Sequence, residues 1–226
     1  MTPNQQIEPD IGIAKLSKET LQDRVHRQIS DMILDGGIAP GQLVKIQALA
    51  DAFGVSAMPV REALHRLTAE NALTVVSGRS IGIPKLNRSR LTDLRDVRIE
   101  VESIAVSWAA KLFTEAGLQN LRTQLDELTA GSQHRDTKAY LRANHSFHFT
   151  IYRLAGSPTL LKIIENLWLQ ISPYFNLLHS SGNYSTANKH HLGMLQALND
   201  RDAVAAKEAL REDIVAAYRV LVDLVD

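Results

Sequence analysis

The sequence predicts a mainly α protein, in which an N-terminal winged helix-turn-helix is joined to an all-α antiparallel helical bundle. Before Pro84, three segments with helical spacing of apolar residues are followed by two short β-like runs. From Arg90 onward every segment has helical periodicity, and no strand signal is present. The chain has 226 residues, a length that accommodates two domains of ordinary size.

These patterns divide the chain into three parts. Residues 1–16 are polar and are expected to form a mobile N-terminal tail. Residues 17–84 are expected to form the winged helix-turn-helix domain, and residues 90–226 an all-helical domain. A short linker begins at Pro84 and ends at Ser89.

Composition excludes several classes of protein. The chain has no cysteine, so disulfides, thiolate chemistry and cysteine-bound zinc are excluded. No apolar run reaches the roughly 18 residues that a membrane span needs, and the N-terminus lacks a secretion signal, so we expect a cytoplasmic protein. The formal net charge is +0, so nucleic-acid binding would need a local basic patch.

The first domain shows the element order of a winged helix. A helix is predicted from about Ser17 to Gly36, and a second ends at Gly54. The third begins after Ser56, which is a good N-cap, and carries Pro59 in its first turn. The β-like runs around Ser77 and Gly78 predict a hairpin.

The start of the third helix is a candidate DNA-reading surface. The second helix of a helix-turn-helix enters the major groove with its N-terminal residues first. Arg61 points away from the buried stripe and can bond guanine, while Ser56 and backbone N–H groups can hold phosphate. Lys45 and Arg79 could supply further phosphate contacts. The alternative is that Arg61 is a surface residue paired with Glu62 or Glu70.

The second domain contains six predicted helices, separated by loops rich in Gly, Ser, Pro and Asp. Their approximate ranges are 90–113, 115–130, 136–155, 157–180, 185–199 and 202–225.

Three of these helices direct polar side chains into the bundle. Asn144 and His148 are four residues apart and share the inward face of their helix, whereas His145 is expected to point outward. His191 and Asp213 lie on the apolar stripes of the last two helices.

A buried carboxylate is costly unless it is paired or bound to a cation. Two imidazoles, one carboxylate and an amide oxygen suit Zn²⁺, Ni²⁺ or Mn²⁺, so Asn144, His148, His191 and Asp213 form a candidate metal site. The alternative is a set of hydrogen-bonded core histidines.

Both domains of the sequence resemble those of a known protein family. The run LDGGIAPGQLVKIQALADAFGVSAMPVREALHRLTAENALTVV resembles the N-terminal domain of GntR-type bacterial transcription regulators. The all-helical remainder resembles the FCD effector domain of the FadR subfamily. The resemblance implies a sequence-specific regulator rather than an enzyme, with an effector-binding and dimerisation domain over 90–226.

The resemblance also implies where DNA is contacted: the start of the second helix, the start of the recognition helix and the wing tip. In this sequence these positions are Gln47, Ser56, Ala57, Met58, Arg61, Ser77 and Gly78. The family usually has Arg and Thr after the serine, so Ala57 and Met58 imply a shifted operator preference, for example toward thymine methyl groups.

For the metal site, the resemblance implies an Asp four residues before a His, followed by two later histidines. His148 and His191 match, but Asn144 replaces the Asp and Asp213 replaces the last His. One carboxylate and two imidazoles therefore survive, and we expect a retained divalent site with altered geometry. A weakened or empty site is the alternative.

The remaining implications concern ligand and assembly. The effector of similar regulators is often an organic acid, which Arg98 could clamp and Tyr174 and Asn176 could contact. An Arg98–Glu102 ion pair within the helix is the alternative role for this arginine. A homodimer and a palindromic double-stranded operator are also expected. Two other functions stay open, a direct metal-responsive regulator and a metal-dependent enzyme.

Overall fold

The structure is a computed structural model that describes residues 20–77, 80–180 and 184–224. The tail predicted over 1–16 lies outside these residues, as do Gly78 and Arg79. In the described residues the elements are α1 Leu21–Leu34, β1 Leu43–Val44, α2 Ile46–Phe53, α3 Ala57–Ala69, β2 Thr74–Ser77, β3 Ser80–Gly82, α4 Arg88–Leu112, α5 Glu115–Gln133, α6 Thr137–Leu154, α7 Pro158–Ile171, α8 Phe175–Ser180, α9 Tyr184–Asn199 and α10 Ala203–Val222.

The N-terminal domain is the predicted winged helix. The side chain of Thr20 accepts a hydrogen bond from the backbone N–H of Asp23, and the Asp23 carboxylate bonds back to the Thr20 backbone, so a capping box begins α1. The predicted hairpin is confirmed as β2 and β3. A third strand, β1, pairs antiparallel with β3 and was not predicted, because two residues give no periodic signal.

The C-terminal domain is the predicted helical bundle, with one correction. The single helix expected over 157–180 is divided into α7 and α8 by a 3₁₀ turn at Ser172–Tyr174. Pro173 lies in this turn, where its missing N–H and fixed φ prevent the α-helical hydrogen bonds from continuing. The break redirects the chain toward the N-terminal domain.

Helix α4 lies at the centre of the bundle, against α6, α7, α9 and α10. Helix α5 lies against α6 and α9, and α9 lies against α10. The polar groups predicted to face inward on α6, α9 and α10 are therefore directed toward neighbouring helices. Among the described helices, none has the length and apolar character that crossing a membrane requires.

The two domains are joined by side chains that donate hydrogen bonds to backbone carbonyls. The donors belong to the helical domain and the acceptors to the winged helix: Arg90 to Asn71 at 3.0 Å, Asn166 to Glu70 at 3.0 Å, Asn176 to Gly36 at 2.9 Å, and Tyr174 to Pro84. We call these four bonds the carbonyl junction. Because every acceptor is a turn or loop carbonyl, the junction fixes the winged helix without interrupting its helices or sheet.

Candidate DNA interface and metal site

The start of α3 presents an open surface. Ser56 occupies the N-cap position as predicted, but its side chain makes no capping hydrogen bond and is exposed. Met58 is 62% exposed, and Ala57 beside it is half-buried. A short apolar surface therefore lies next to a free hydroxyl and the free N–H groups of a helix start.

Arg61 follows on the same helix and is exposed. Neither Glu62 nor Glu70 forms an ion pair with it in the described part of the chain, since Glu70 bonds instead to Arg66 and His26. Arg61 therefore does not form the surface ion pair that was considered as its alternative role. Its guanidinium is available to a partner outside the chain.

The other predicted DNA residues are placed as follows. Lys45 is exposed at the N-cap of α2, and Gln47 in the first turn is exposed and donates to Asp51 at 2.8 Å. Gly78 and Arg79 lie outside the described residues, and so does the side chain of Ser77. A role in DNA binding stays a prediction for each of these residues.

In the helical domain, α6, α9 and α10 bring together three side chains that could ligate a metal ion. The Nε2 atoms of His148 and His191 are 3.1 Å apart. The Asp213 carboxylate lies 3.4 Å from His148 Nε2 and 3.6 Å from His191 Nε2. One donor atom of each residue lies within 4.8 Å of the others, so the three can approach a single cation.

Burial shapes the electrostatics of this group. Both histidines are buried, and burial lowers the pKa of His191 to about 4, against the opposing effect of Asp213. Burial alone would raise the pKa of Asp213, but the neighbouring imidazoles, His191 first and then His148, hold it at about 2. These two values conflict at neutral pH, because a neutral His191 cannot supply the charge that Asp213 requires. We favour a neutral His191, since burial dominates there, and a cation from outside the protein would supply the charge.

A second layer of polar groups lies behind His148. Its Nδ1 is 3.1 Å from the hydroxyl of Tyr152, and that hydroxyl donates a short hydrogen bond to Glu102. Because the tyrosine proton goes to Glu102, the hydroxyl is left to accept from Nδ1–H of the histidine. This arrangement assigns the tautomer in which Nε2 of His148 carries a lone pair directed at His191 and Asp213.

Arg98 completes this layer. Its Nε donates to Glu102 at 2.7 Å, and the ion pair is buried within α4. The guanidinium also lies 5.3 Å from the ring of Trp168 and 5.8 Å from that of Phe175. The intrahelical pair considered as an alternative for Arg98 is thus present and buried, and its contact with an effector stays a prediction.

Three other predicted residues take different positions. Tyr174 and Asn176 belong to the carbonyl junction, which in this structure engages both with the winged helix. Asn144 is half-buried on α6, one turn before His148. Their predicted roles, effector contact for the first two and metal ligation for Asn144, are untested by this arrangement.

The expectation that His145 points outward is wrong. Its side chain is half-buried, and its ring centroid lies 4.2 Å from that of Phe149 and 5.8 Å from that of Trp168. The expectation followed from the angle around α6 alone. Helix α7 covers this side of α6 as well, which the spacing within one helix cannot reveal.

Tyr152 and Glu102 were missed as members of the site. The signal was present, since Tyr152 lies four residues after His148 and Glu102 four after Arg98. What the sequence lacks is the pairing between α4 and α6, which brings a carboxylate from 50 positions away against the tyrosine hydroxyl.

A winged helix with an exposed third-helix start, followed by a helical bundle, is the architecture of a DNA-binding transcription regulator. Comparisons with known proteins support this class for both domains of the chain. Residues 21–83 match the gntR family of bacterial regulatory proteins, and residues 93–216 match the FCD domain. The chain belongs to the GntR family, in the FadR-like group whose C-terminal domain is an FCD domain.

Its relatives are regulators and not enzymes. The chain is 29% identical over 205 residues to the HTH-type transcriptional regulator McbR of Escherichia coli, across 89% of this chain and 92% of McbR. It is 24% identical to the E. coli repressor GlaR, covering 87% of this chain and 93% of GlaR. The solved structure of McbR/YncC superposes with a TM-score of 0.83 at 27% identity, over 91% of this chain and 99% of that one.

Proposed function

We propose that this protein is an operator-binding repressor whose affinity for DNA is controlled by a small organic acid held at a divalent metal ion in the helical domain. The observation that carries the proposal is the convergence of His148, His191 and Asp213 in the bundle of a winged-helix protein. Repression is favoured because two relatives, GlaR and a probable D-xylose utilization operon regulator of Paenarthrobacter nicotinovorans, are named as repressors.

The charge balance of the buried group supports a metal. Arg98 and Glu102 cancel each other, and Asp213 leaves one negative charge when both histidines are neutral. A buried charge is tolerated only with a partner, and two imidazole nitrogens beside a carboxylate suit Zn²⁺, Ni²⁺ or Mn²⁺. Three protein ligands would leave the fourth tetrahedral position of Zn²⁺ open to the carboxylate of an effector. With Asn144 as a fourth ligand, positions would remain open only on an octahedral ion such as Mn²⁺.

The exposed side chains at the start of α3 support the DNA interface. Arg61 can form two parallel bonds to guanine, and Ser56 can hold a phosphate at the helix start. Met58, with Ala57, favours an apolar contact such as a thymine methyl group. Lys45 and Gln47 flank this surface on α2, and the wing residues Ser77, Gly78 and Arg79 stay proposed contacts.

A continuous series of side-chain contacts connects the proposed metal site to the carbonyl junction, and through it to the winged helix. His148 contacts Tyr152, which binds Glu102, which binds Arg98. Arg98 lies against Trp168 of α7 and Phe175 of α8, the two helices that supply two of the four donors of the carbonyl junction. Ligand-dependent shifts at the site would thus bias the position of the winged helix.

Helix α4 carries the surface on which we propose homodimerisation. Apolar side chains recur every three or four residues along its outer face, and most are exposed: Val97, Val101, Ile104, Trp108 and Leu112. A continuous exposed apolar stripe of this kind marks an interaction surface. A second copy is the partner that fits, since two recognition helices are needed to read a palindromic operator.

A direct metal-responsive regulator is the second candidate, because the same ligands could serve a protein for which the ion itself is the signal. The two differ in one measurable way. An effector-controlled regulator changes its operator affinity on adding an acid at constant metal occupancy, whereas a metal sensor responds to the metal alone.

The test combines metal analysis with DNA binding. An operator is first selected from random duplexes, and its affinity is measured by fluorescence anisotropy with zinc, with a chelator, and with a panel of organic acids. We expect His148→Ala to lose both the metal and the response to acid, while His134→Ala, at an exposed histidine, keeps both. A His148→Ala protein with unchanged metal content and unchanged acid response would exclude the proposed site.

The DNA interface is tested separately with the same duplex. We expect Arg61→Ala to lose about 1–3 kcal/mol of operator binding and to relax the preference at one base pair. Unchanged sequence preference in this variant would exclude Arg61 as a base contact. Because the substitution lies in the winged helix, metal content should not change.

A further inference from the structure

A cleft lies between the two domains, on the side of α6 where His145 was expected to face solvent. Its volume is about 670 Å³, and it is lined by residues of α1 and α3 from the winged helix and of α6 and α7 from the bundle. Small-molecule sites have volumes of roughly 300–1,000 Å³ and occur preferentially at domain interfaces. The volume and position of the cleft therefore suit a small ligand, and the chemistry of the lining residues indicates its class.

Most charged groups of the lining have a partner of opposite charge, and Arg27 and Asp31 of α1 interact electrostatically with each other. Arg66 pairs with Asp23 and Glu70, and Lys162 pairs with Glu165. Arg153 differs, because no carboxylate in the described part of the chain lies within ion-pair distance. Its guanidinium instead lies 5.6 Å from the ring of Phe149, which also lines the cleft. Arg153 is thus a cation available to an anionic ligand.

The floor of the cleft is apolar and aromatic. The rings of Phe149 and His145 pack at an angle of 39°, with their centroids 4.2 Å apart. Phe149 and Leu169 are buried beneath the cleft, and Leu34 and His145 are half-buried at its surface. His145 Nε2 is buried and has no hydrogen-bond partner among the described residues, which is costly for a polar atom. A flat apolar ring would cover this floor, and a polar substituent on it would satisfy the imidazole nitrogen.

We propose that this cleft is a second ligand site, separate from the metal site, which binds a small aromatic carboxylate. The carboxylate bonds to Arg153, the ring lies against the half-buried Leu34 and His145 above the apolar floor, and His145 Nε2 bonds a polar atom of the ligand. Because the walls belong to both domains, the bound ligand holds α1 and α3 against α6 and α7, and it acts on the winged helix without passing through the metal site.

Isothermal titration calorimetry of the full chain with benzoate tests the proposal. Benzyl alcohol keeps the ring without the charge, and acetate keeps the charge without the ring. We expect benzoate to bind, and both comparison compounds to bind at least about tenfold more weakly, since each lacks one of the two recognised groups. All titrations are made in the presence of a chelator, so that metal-bound carboxylate does not contribute.

Three variants locate the binding. Arg153→Gln is expected to weaken benzoate about tenfold or more by removing the charge-assisted bond. Arg142→Gln is the matched control, because Arg142 is an exposed arginine on the same helix that is paired with Asp35 outside the cleft lining. His191→Ala removes a proposed metal ligand and should leave benzoate binding unchanged.

The results separate this proposal from the proposed metal site. No benzoate binding up to millimolar concentration would overturn it, and so would equal binding of acetate or benzyl alcohol. Loss of benzoate binding in His191→Ala with retention in Arg153→Gln would also overturn it, while leaving the metal site intact. Loss in Arg153→Gln alone supports the cleft, whether or not the metal site proves correct.

Discussion

At the scale of single residues, the hydroxyl of Tyr152 determines what His148 can do. It donates to Glu102 and so can only accept from Nδ1 of the histidine, which leaves the lone pair of Nε2 for the neighbouring ligands. Outer hydrogen bonds of this kind orient a metal-binding imidazole and increase its basicity. Tyr152 is thus a positioning residue for the proposed metal site.

We predict that Tyr152→Phe lowers zinc affinity by about 10–100-fold, because His148 loses the group that fixes its tautomer and ring orientation. Competition with a chromophoric chelator measures the effect. Tyr218→Phe is the matched control, since it also removes a tyrosine hydroxyl hydrogen bond, the one to Thr92 at 3.1 Å. Equal zinc affinity in Tyr152→Phe and the unmodified protein would contradict this role.

Residue-scale features differ in how far the sequence reveals them. His148, His191 and Asp213 each lie on an apolar stripe of their own helix, so local spacing was sufficient to predict that they face inward. Tyr152 and Glu102 matter through a contact between helices, and His145 is covered by a neighbouring helix. Spacing along one helix contains no information about which helix covers it, and these features could not be predicted.

At the scale of elements, the carbonyl junction depends on a close approach at the end of α1. Gly36 has a φ of +70°, and a Cβ added there would lie 2.6 Å from Asn176 Nδ2 and 2.9 Å from Leu141 Cδ1. The Asn176 side chain donates to the Gly36 carbonyl from this position. A glycine is therefore required both by the backbone conformation and by the neighbouring domain.

We predict that Gly36→Ala lowers the free energy of unfolding by about 1–3 kcal/mol and loosens the junction, measured by urea denaturation and by limited proteolysis of the linker. Gly41→Ala is the matched control, because Gly41 has a similar φ of +78° but nothing within 4 Å of an added Cβ. The difference between the two variants isolates the contact with Asn176 and Leu141. Equal losses would mean that only backbone strain is involved.

The helices themselves were predictable because long periodic segments carry a strong signal. The failures were short or non-periodic features. Strand β1 has two residues and exists only through its pairing with β3. The break at Ser172–Tyr174 was hidden because the apolar spacing continues across Pro173, so the periodicity outweighed the proline that ends α7.

At the scale of the whole molecule, buried histidines make stability depend on pH. Burial lowers the pKa of both His145 and His191 from 6.5 to about 4. Between these values the unfolded chain binds protons that the folded chain does not, so stability is greatest above about pH 6.5 and falls toward pH 4.

We predict that the free energy of unfolding of the metal-free protein falls between pH 6.5 and 4, by up to about 1.4 kcal/mol per pH unit for each histidine. Urea denaturation across this range measures the slope. His145→Phe should reduce the slope, whereas His134→Gln, at an exposed position, should leave it unchanged. A slope that does not change in His145→Phe would contradict a neutral, buried His145.

The outer face of α4 is the surface on which dimerisation is proposed. Ile104 and Trp108 are both 44% exposed near the middle of the apolar stripe, where a charge could not be buried against a second copy without a partner. We therefore predict that Ile104→Glu produces a monomer in sedimentation analysis and weakens binding to a palindromic operator far more than to a single half-site.

Ile163→Glu is the matched control, since Ile163 is 48% exposed but lies on α7, outside the stripe. If Ile104→Glu stays dimeric, the two copies meet elsewhere and the stripe has another partner. If both variants become monomeric, dimerisation depends on more of the bundle surface than α4.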